Sequence, residues 1–192
     1  MLLGLLSSVS LAQEEPAKPR EKETFDPKIT TRVTLGGSSG TPGTAIVVPI
    51  YFTPAEGVEV GRLKMEVNFV SANLKFDKLD RGIAAEMGNV DVTSTLKVGK
   101  NDNGVETSTV TVQAGFSSSE TAKKGILAGL LAYLTLRISD TGRPAAITLR
   151  ASAEGTELGS KKPLNNLRAI DAQIEVLAPG TQPLVTCFFF SH

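Results

Sequence analysis

The stretch Arg62-Leu63-Lys64-Met65-Glu66-Val67-Asn68-Phe69 alternates polar and apolar residues over eight positions. Successive strand side chains point to opposite faces, so Leu63, Met65, Val67 and Phe69 share one face, and no helix gathers that set on one side. Runs rich in Val, Ile and Thr at 30–35, 45–52, 90–98, 107–116, 145–151 and 170–177 predict further strands. Turn-forming clusters divide them, among them Gly36-Gly37-Ser38-Ser39-Gly40, Asn101-Asp102-Asn103-Gly104 and Asp140-Thr141-Gly142-Arg143-Pro144. The apolar run from Gly125 to Ile138 is too short for a membrane span, and Gly125 with Gly129 argues against a helix. Its second half alternates, which predicts a strand pair or one long central strand. Ile83, Ala84 and Met87 have helical spacing, so residues 80–87 predict short helical turns. Taken along the chain, the pattern is all-β, an antiparallel β-sandwich or barrel.

The two ends have a different character. MLLGLLSSVSLA is apolar and small, with Ser10 and Ala12 in the two small-residue positions of a signal-peptidase site, so residues 1–12 read as a signal peptide cleaved after Ala12. Its missing basic stretch points to a start upstream of Met1; the competing reading is a short buried segment. In residues 13–28, nine of sixteen residues are charged, which makes this a solvated linker. Residues 29–178 hold the sandwich. Beyond Pro179-Gly180 comes an apolar tail, residues 179–192, with Cys187-Phe188-Phe189-Phe190 near its end. Three consecutive Phe are costly to leave in water. The tail therefore reads either as a last docked strand or as an anchoring or interaction tail carried by Cys187, Phe188, Phe189 and Phe190.

Composition narrows the function. The chain has 192 residues, 41% of them hydrophobic, and 20 basic residues balance 20 acidic ones. That is one domain's worth of chain, without the positive charge that nucleic-acid binding needs. The one Cys and the one His both lie in the last six residues. A Ser-His-Asp or Cys-His catalytic set, or a His/Cys metal cluster, thus has no material in the core. Asn101-Asp102-Asn103-Gly104 offers oxygens at alternate positions, as a calcium loop does, but lacks a Glu at the twelfth position and suits a type I′ hairpin turn better. The carboxylate pairs Asp77 with Asp80 and Glu154 with Glu157 could serve glycoside hydrolysis, although scattered surface acids are the commoner arrangement. With no Trp and only Tyr51 and Tyr133, material for a flat sugar-stacking platform is scarce. Lys123-Lys124 and Lys161-Lys162 read as solvated turn residues. No cofactor is expected, and the chain reads as a non-enzyme.

The order Gly43-Thr44-Ala45-Ile46-Val47-Val48-Pro49, then Glu66-Val67-Asn68-Phe69, then Leu74, then Gly125-Ile126-Leu127-Ala128 leading into Leu134-Thr135-Leu136-Arg137-Ile138, resembles the cohesin domain and its relatives among the carbohydrate-binding modules of bacterial surface proteins. The resemblance covers residues 29–177 and rests on strand and turn patterns. Where cohesins carry an aromatic residue and an Asp or Asn before a Pro, this chain has Val70-Ser71-Ala72-Asn73, a departure that bears on dockerin recognition more than on fold. The resemblance implies a jelly-roll sandwich of about nine strands. It also implies no catalysis, and one sheet face that binds a dockerin-type protein module or a polysaccharide at the cell surface after export. A second expectation is a structural subunit of an extracellular filament, in which copies of the chain pair through their terminal segments.

Overall fold

The computed structural model describes residues 26, 28–117, 124–160 and 162–181. Eleven strands and one short helix follow in the order β1 (Thr31–Leu35), β2 (Ser38–Gly40), β3 (Ala45–Thr53), β4 (Val60–Val70), β5 (Leu74–Arg81), α1 (Ile83–Met87), β6 (Asp91–Lys100), β7 (Glu106–Gly115), β8 (Gly129–Ile138), β9 (Ala145–Glu157), β10 (Leu167–Ile170) and β11 (Ala172–Val176). They form two sheets, β10-β1-β3-β8-β5 and β2-β11-β9-β4-β7-β6. The expected β-sandwich is present, with more strands than the nine expected and with two parallel pairings in otherwise antiparallel sheets.

Alternation sets the layers. On β4, Leu63, Met65, Val67 and Phe69 are buried as the pattern predicts. They meet Val33, Val48, Ile50, Phe52, Leu134 and Leu136 of the other sheet in one core. Fully burying each such side chain stabilises the fold by roughly 1.5–3 kcal/mol before conformational entropy is set against it. The run from Gly125 resolves into one strand, β8, hydrogen-bonded to both β3 and β5.

Four differences from the sequence pattern share one cause, pairing with distant residues. Ser38–Gly40, read as part of a turn, is a strand because it pairs in parallel with Ile174–Val176. The expected strand 170–177 is β11, but a further strand, β10, ends at Ile170 and pairs with β1 in one sheet while β11 pairs with β9 in the other. At Asp171 the chain changes sheet, and the Asp171 carboxylate accepts a hydrogen bond from the Ala151 N–H at 2.8 Å, just beyond the last β11 pair at Leu149. The segment Leu74–Arg81 carries five charges in eight residues, which hides its strand character, and strand continues to Arg81 where helical turns were expected. β9 runs to Glu157, past the expected end at residue 151, because its residues from Arg150 to Glu157 pair with β4.

Gly36 and Gly82 mark where backbones touch. A Cβ on Gly36 would stand 2.5 Å from Pro49 Cγ, and the Gly36 N–H donates to the Pro49 carbonyl at 2.8 Å. A Cβ on Gly82 would stand 2.8 Å from the carbonyl carbons of Leu130 and Leu131, which are backbone atoms and cannot swing aside. Gly82→Ala is expected to lower stability by about 1–3 kcal/mol through overpacking. The check is a shift of the urea midpoint at unchanged m-value.

Candidate functional site

The outward residues of β6, β7, β4 and β9 form a ruled grid, because three antiparallel registers, unbroken along β4 from Arg62 to Asn68, place them in rows. One row reads Asp91, Gly115, Arg62, Thr156; the next Thr93, Gln113, Lys64, Glu154; the next Thr95, Thr111, Glu66, Ser152; and the fourth Lys97, Thr109, Asn68, Arg150. The β6 and β7 columns hold four threonines between them, and the β4 and β9 columns five charged side chains. On β4 and β7 each polar side chain is the solvent half of an alternating strand whose other half is core.

Two contacts stiffen this face. Lys64 Nζ lies 3.0 Å from Glu154 Oε1 and 3.1 Å from Glu66 Oε1, bridging β4 to β9. The Glu154 carboxylate first, and Glu66 second, hold the Lys64 ammonium above its ordinary value. The Thr109 hydroxyl donates to Asn68 Oδ1 at 2.5 Å, linking β7 to β4. At one end of the grid, Gly115 supplies no side chain between Asp91 and Arg62. A groove of about 500 Å³ opens there, lined by Arg62, Asp91, Gln113, Phe116, Glu154 and Pro163 among others. Asp91 accepts a hydrogen bond from the Ser117 hydroxyl at the groove's rim. With Lys64 also in its wall, the groove mixes two cations, two carboxylates, an amide and an apolar ring, groups that can bind and orient a ligand.

No family model matches the chain, and no curated protein does. Solved structures do. The third cohesin of ScaC from Acetivibrio cellulolyticus, in complex with a ScaB dockerin, matches with a TM-score of 0.60 at 20% identity, over 78% of this chain and 100% of that one. The seventh ScaB type I cohesin from Pseudobacteroides cellulosolvens matches at 0.57 and 17% identity, over 83% and 99%. A non-cellulosomal cohesin from the hyperthermophilic archaeon Archaeoglobus fulgidus matches at 0.51 and 16%, over 77% and 91%. This chain has a cohesin-like fold.

The other candidate residues take their places in that cohesin-like sandwich. Asn101-Asp102-Asn103-Gly104 closes the β6–β7 hairpin. Asn101 Oδ1 accepts from the N–H groups of Asn103 and Val105 at 3.1 and 2.9 Å, so its side-chain oxygen is engaged by the turn itself. The turn is not type I′, which needs two left-handed residues: Gly104 alone has positive φ, at 75°. Among the described residues no group of three or more His, Cys, Asp or Glu side chains could hold a metal ion. Three of the four carboxylates in the suggested pairs are held by lysines. Asp80 pairs with Lys78 at 2.8 Å, Glu154 with Lys64, and Glu157 with Lys162 at 3.7 Å. Lys123 and Lys161 lie outside the described residues, as do Cys187, Phe188, Phe189, Phe190 and the leader. No described helix is long and apolar enough to cross a membrane.

The sequence missed one grouping. Tyr51 and Tyr133, the chain's two tyrosines, both stand on the outer face of the opposite sheet, 40% and 37% exposed. Tyr133 faces Pro49 and Tyr51 faces Leu130 across the β3–β8 ladder, with exposed Val47 on the same side. Their parity along the two strands, odd-numbered with Val47 and Pro49, is the signal that could have found it.

The raised Lys64 value fixes a sign. Its pairing adds stability that is fully present below the ordinary lysine value of 10.5 and is lost as pH rises through the higher folded-state value. Lys64→Met is therefore expected to lower the urea midpoint slightly at pH 7, a surface ion pair being weak. The difference from the parent should shrink once both are compared above the lysine range. An unchanged difference there would assign the effect to packing of the lysine stem.

Proposed function

We propose that the chain is a non-catalytic binding module that takes a dockerin-type protein partner on the outer face of β6-β7-β4-β9. The likeness to cohesins, one of them solved with its dockerin, carries this reading. The grid supports it, since a broad sheet face of seven charged and six hydroxyl side chains, cross-linked at Lys64 and Asn68, suits a protein surface better than a small molecule. The second reading, a polysaccharide, is favoured by Tyr51 and Tyr133 standing together on the opposite face, where apolar rings can stack on sugars. The two readings use different faces, so they separate cleanly. In a pull-down against a panel of dockerin modules, Thr111→Arg at the centre of the grid is expected to weaken capture at least about tenfold, with Tyr133→Ser without effect. Binding on a glycan array that Tyr133→Ser removes and Thr111→Arg spares would move the function to the second face.

We further infer export through residues 1–12, with residues 13–28 as a tether and Cys187-Phe188-Phe189-Phe190 as the anchoring or interaction tail. Their composition is the support: an apolar leader, a charged linker and an apolar cysteine-bearing end. In a secreting host the product is expected to begin at Gln13. Cys187→Ser, and separately deletion from Thr186, are each expected to release it from the cell surface into the medium. N-terminal sequencing and fractionation measure both, and retention unchanged by the deletion would remove the anchoring role.

A further inference from the structure

Two sheets have four edges, and three of these are blunted. β2 and β10 are three and four residues long, and β10 packs back against β9. β5 carries Lys75, Asp77, Lys78, Asp80 and Arg81, and its ladder is irregular between Phe76 and Lys78. Shortness, charge and irregularity are the usual devices that keep strand edges from recruiting other chains. β6 is different: ten residues in unbroken register with β7, its other side hydrogen-bonded to no described strand. Leu96 and Val98 lie on the core side of its pleat, opposite buried Val110 and Ser108, yet stand 47% and 53% exposed because the facing sheet does not cover them.

We propose that this edge is an interface between two copies of the chain, β6 pairing antiparallel with β6 of a second copy about a twofold axis at Ser94. The strand is self-complementary in that register. Asp91 falls opposite Lys97 of the second copy on the outer face, Val92 opposite Leu96 on the core side, and Thr93 opposite Thr95, each pair occurring twice. Sliding the strands by two residues either way removes both Asp–Lys pairs, so charge selects one alignment. The Ser117 hydroxyl occupies one oxygen of Asp91 and leaves the other for the lysine. Pairing would extend the six-stranded sheet across the axis and set the two polar grids side by side, which makes a two-site surface from single-site modules. The proposal stands apart from the identity of any partner on the grid.

The test is analytical ultracentrifugation of the full chain over a range of concentrations, with circular dichroism to confirm that each variant folds. A reversible dimer is expected. Asp91→Lys or Lys97→Asp alone puts like charges opposite each other and should raise its dissociation constant at least about tenfold. The double exchange Asp91→Lys with Lys97→Asp restores opposite signs and should return the constant to within about threefold of the parent. A chain that stays monomeric at about 1 mM overturns the proposal. So does a dimer indifferent to the single exchanges. Hydrogen exchange gives a second readout: protection of the β6 amides should rise with protein concentration. Protection independent of concentration would mean that the chain's own remaining residues cover this edge, and would overturn the proposal as well.

Discussion

The register of β4 is the constraint on which the rest depends. It pairs with β7 over nine successive residues and with β9 on its other side, and its pleat decides at every position what is core and what is surface. A slip of one residue against either neighbour would turn Leu63, Met65, Val67 and Phe69 to water and Arg62, Lys64 and Glu66 into the core. Core and binding face are thus one feature seen from two sides. The same registers that bury four apolar side chains align the rows of the polar grid.

Much of the fold was legible where burial is one-sided. β3, β4 and β7 alternate cleanly because one face meets the core and the other meets solvent. Strands that depart from this pattern were hidden. β5 lies at a sheet edge, where Lys75, Asp77 and Lys78 cost little in water, so its charges mask its strand. β10 and β11 form one continuous β-rich run. Nothing local says that Asp171 separates halves belonging to different sheets, because the division is made by β1 and β9, both distant in sequence. The hairpin at Asn101 was recognised from its residues, but its turn type depends on which of them takes positive φ.

The grid was less legible than the fold. Every residue in it but Gly115 was visible as a polar position, yet its rows exist only through pairings between segments up to ninety-four residues apart, as Arg62 is from Thr156. The tyrosines make the same point in reverse. Counted along the chain they are two isolated aromatics, and folded they share one face. Composition could say how little aromatic material there was; it could not say that all of the tyrosine was in one place.

The first and last strands have a consequence for how the chain comes into being. Thr31–Leu35 pairs in parallel with Leu167–Ile170, and Ser38–Gly40 with Ile174–Val176, so each sheet is finished by residues from opposite ends of the domain. A ribosome that has released everything up to residue 160 has completed neither sheet. Until the final strands emerge, Val33 and Leu35 have lost one flanking strand, and the apolar face of β9 has no β11 beside it. Closing a contact across so long a loop is slow compared with forming a hairpin. The nascent domain therefore passes through a late interval in which its most central strands are paired and its margins are open, and whatever assists or threatens it during synthesis acts in that interval.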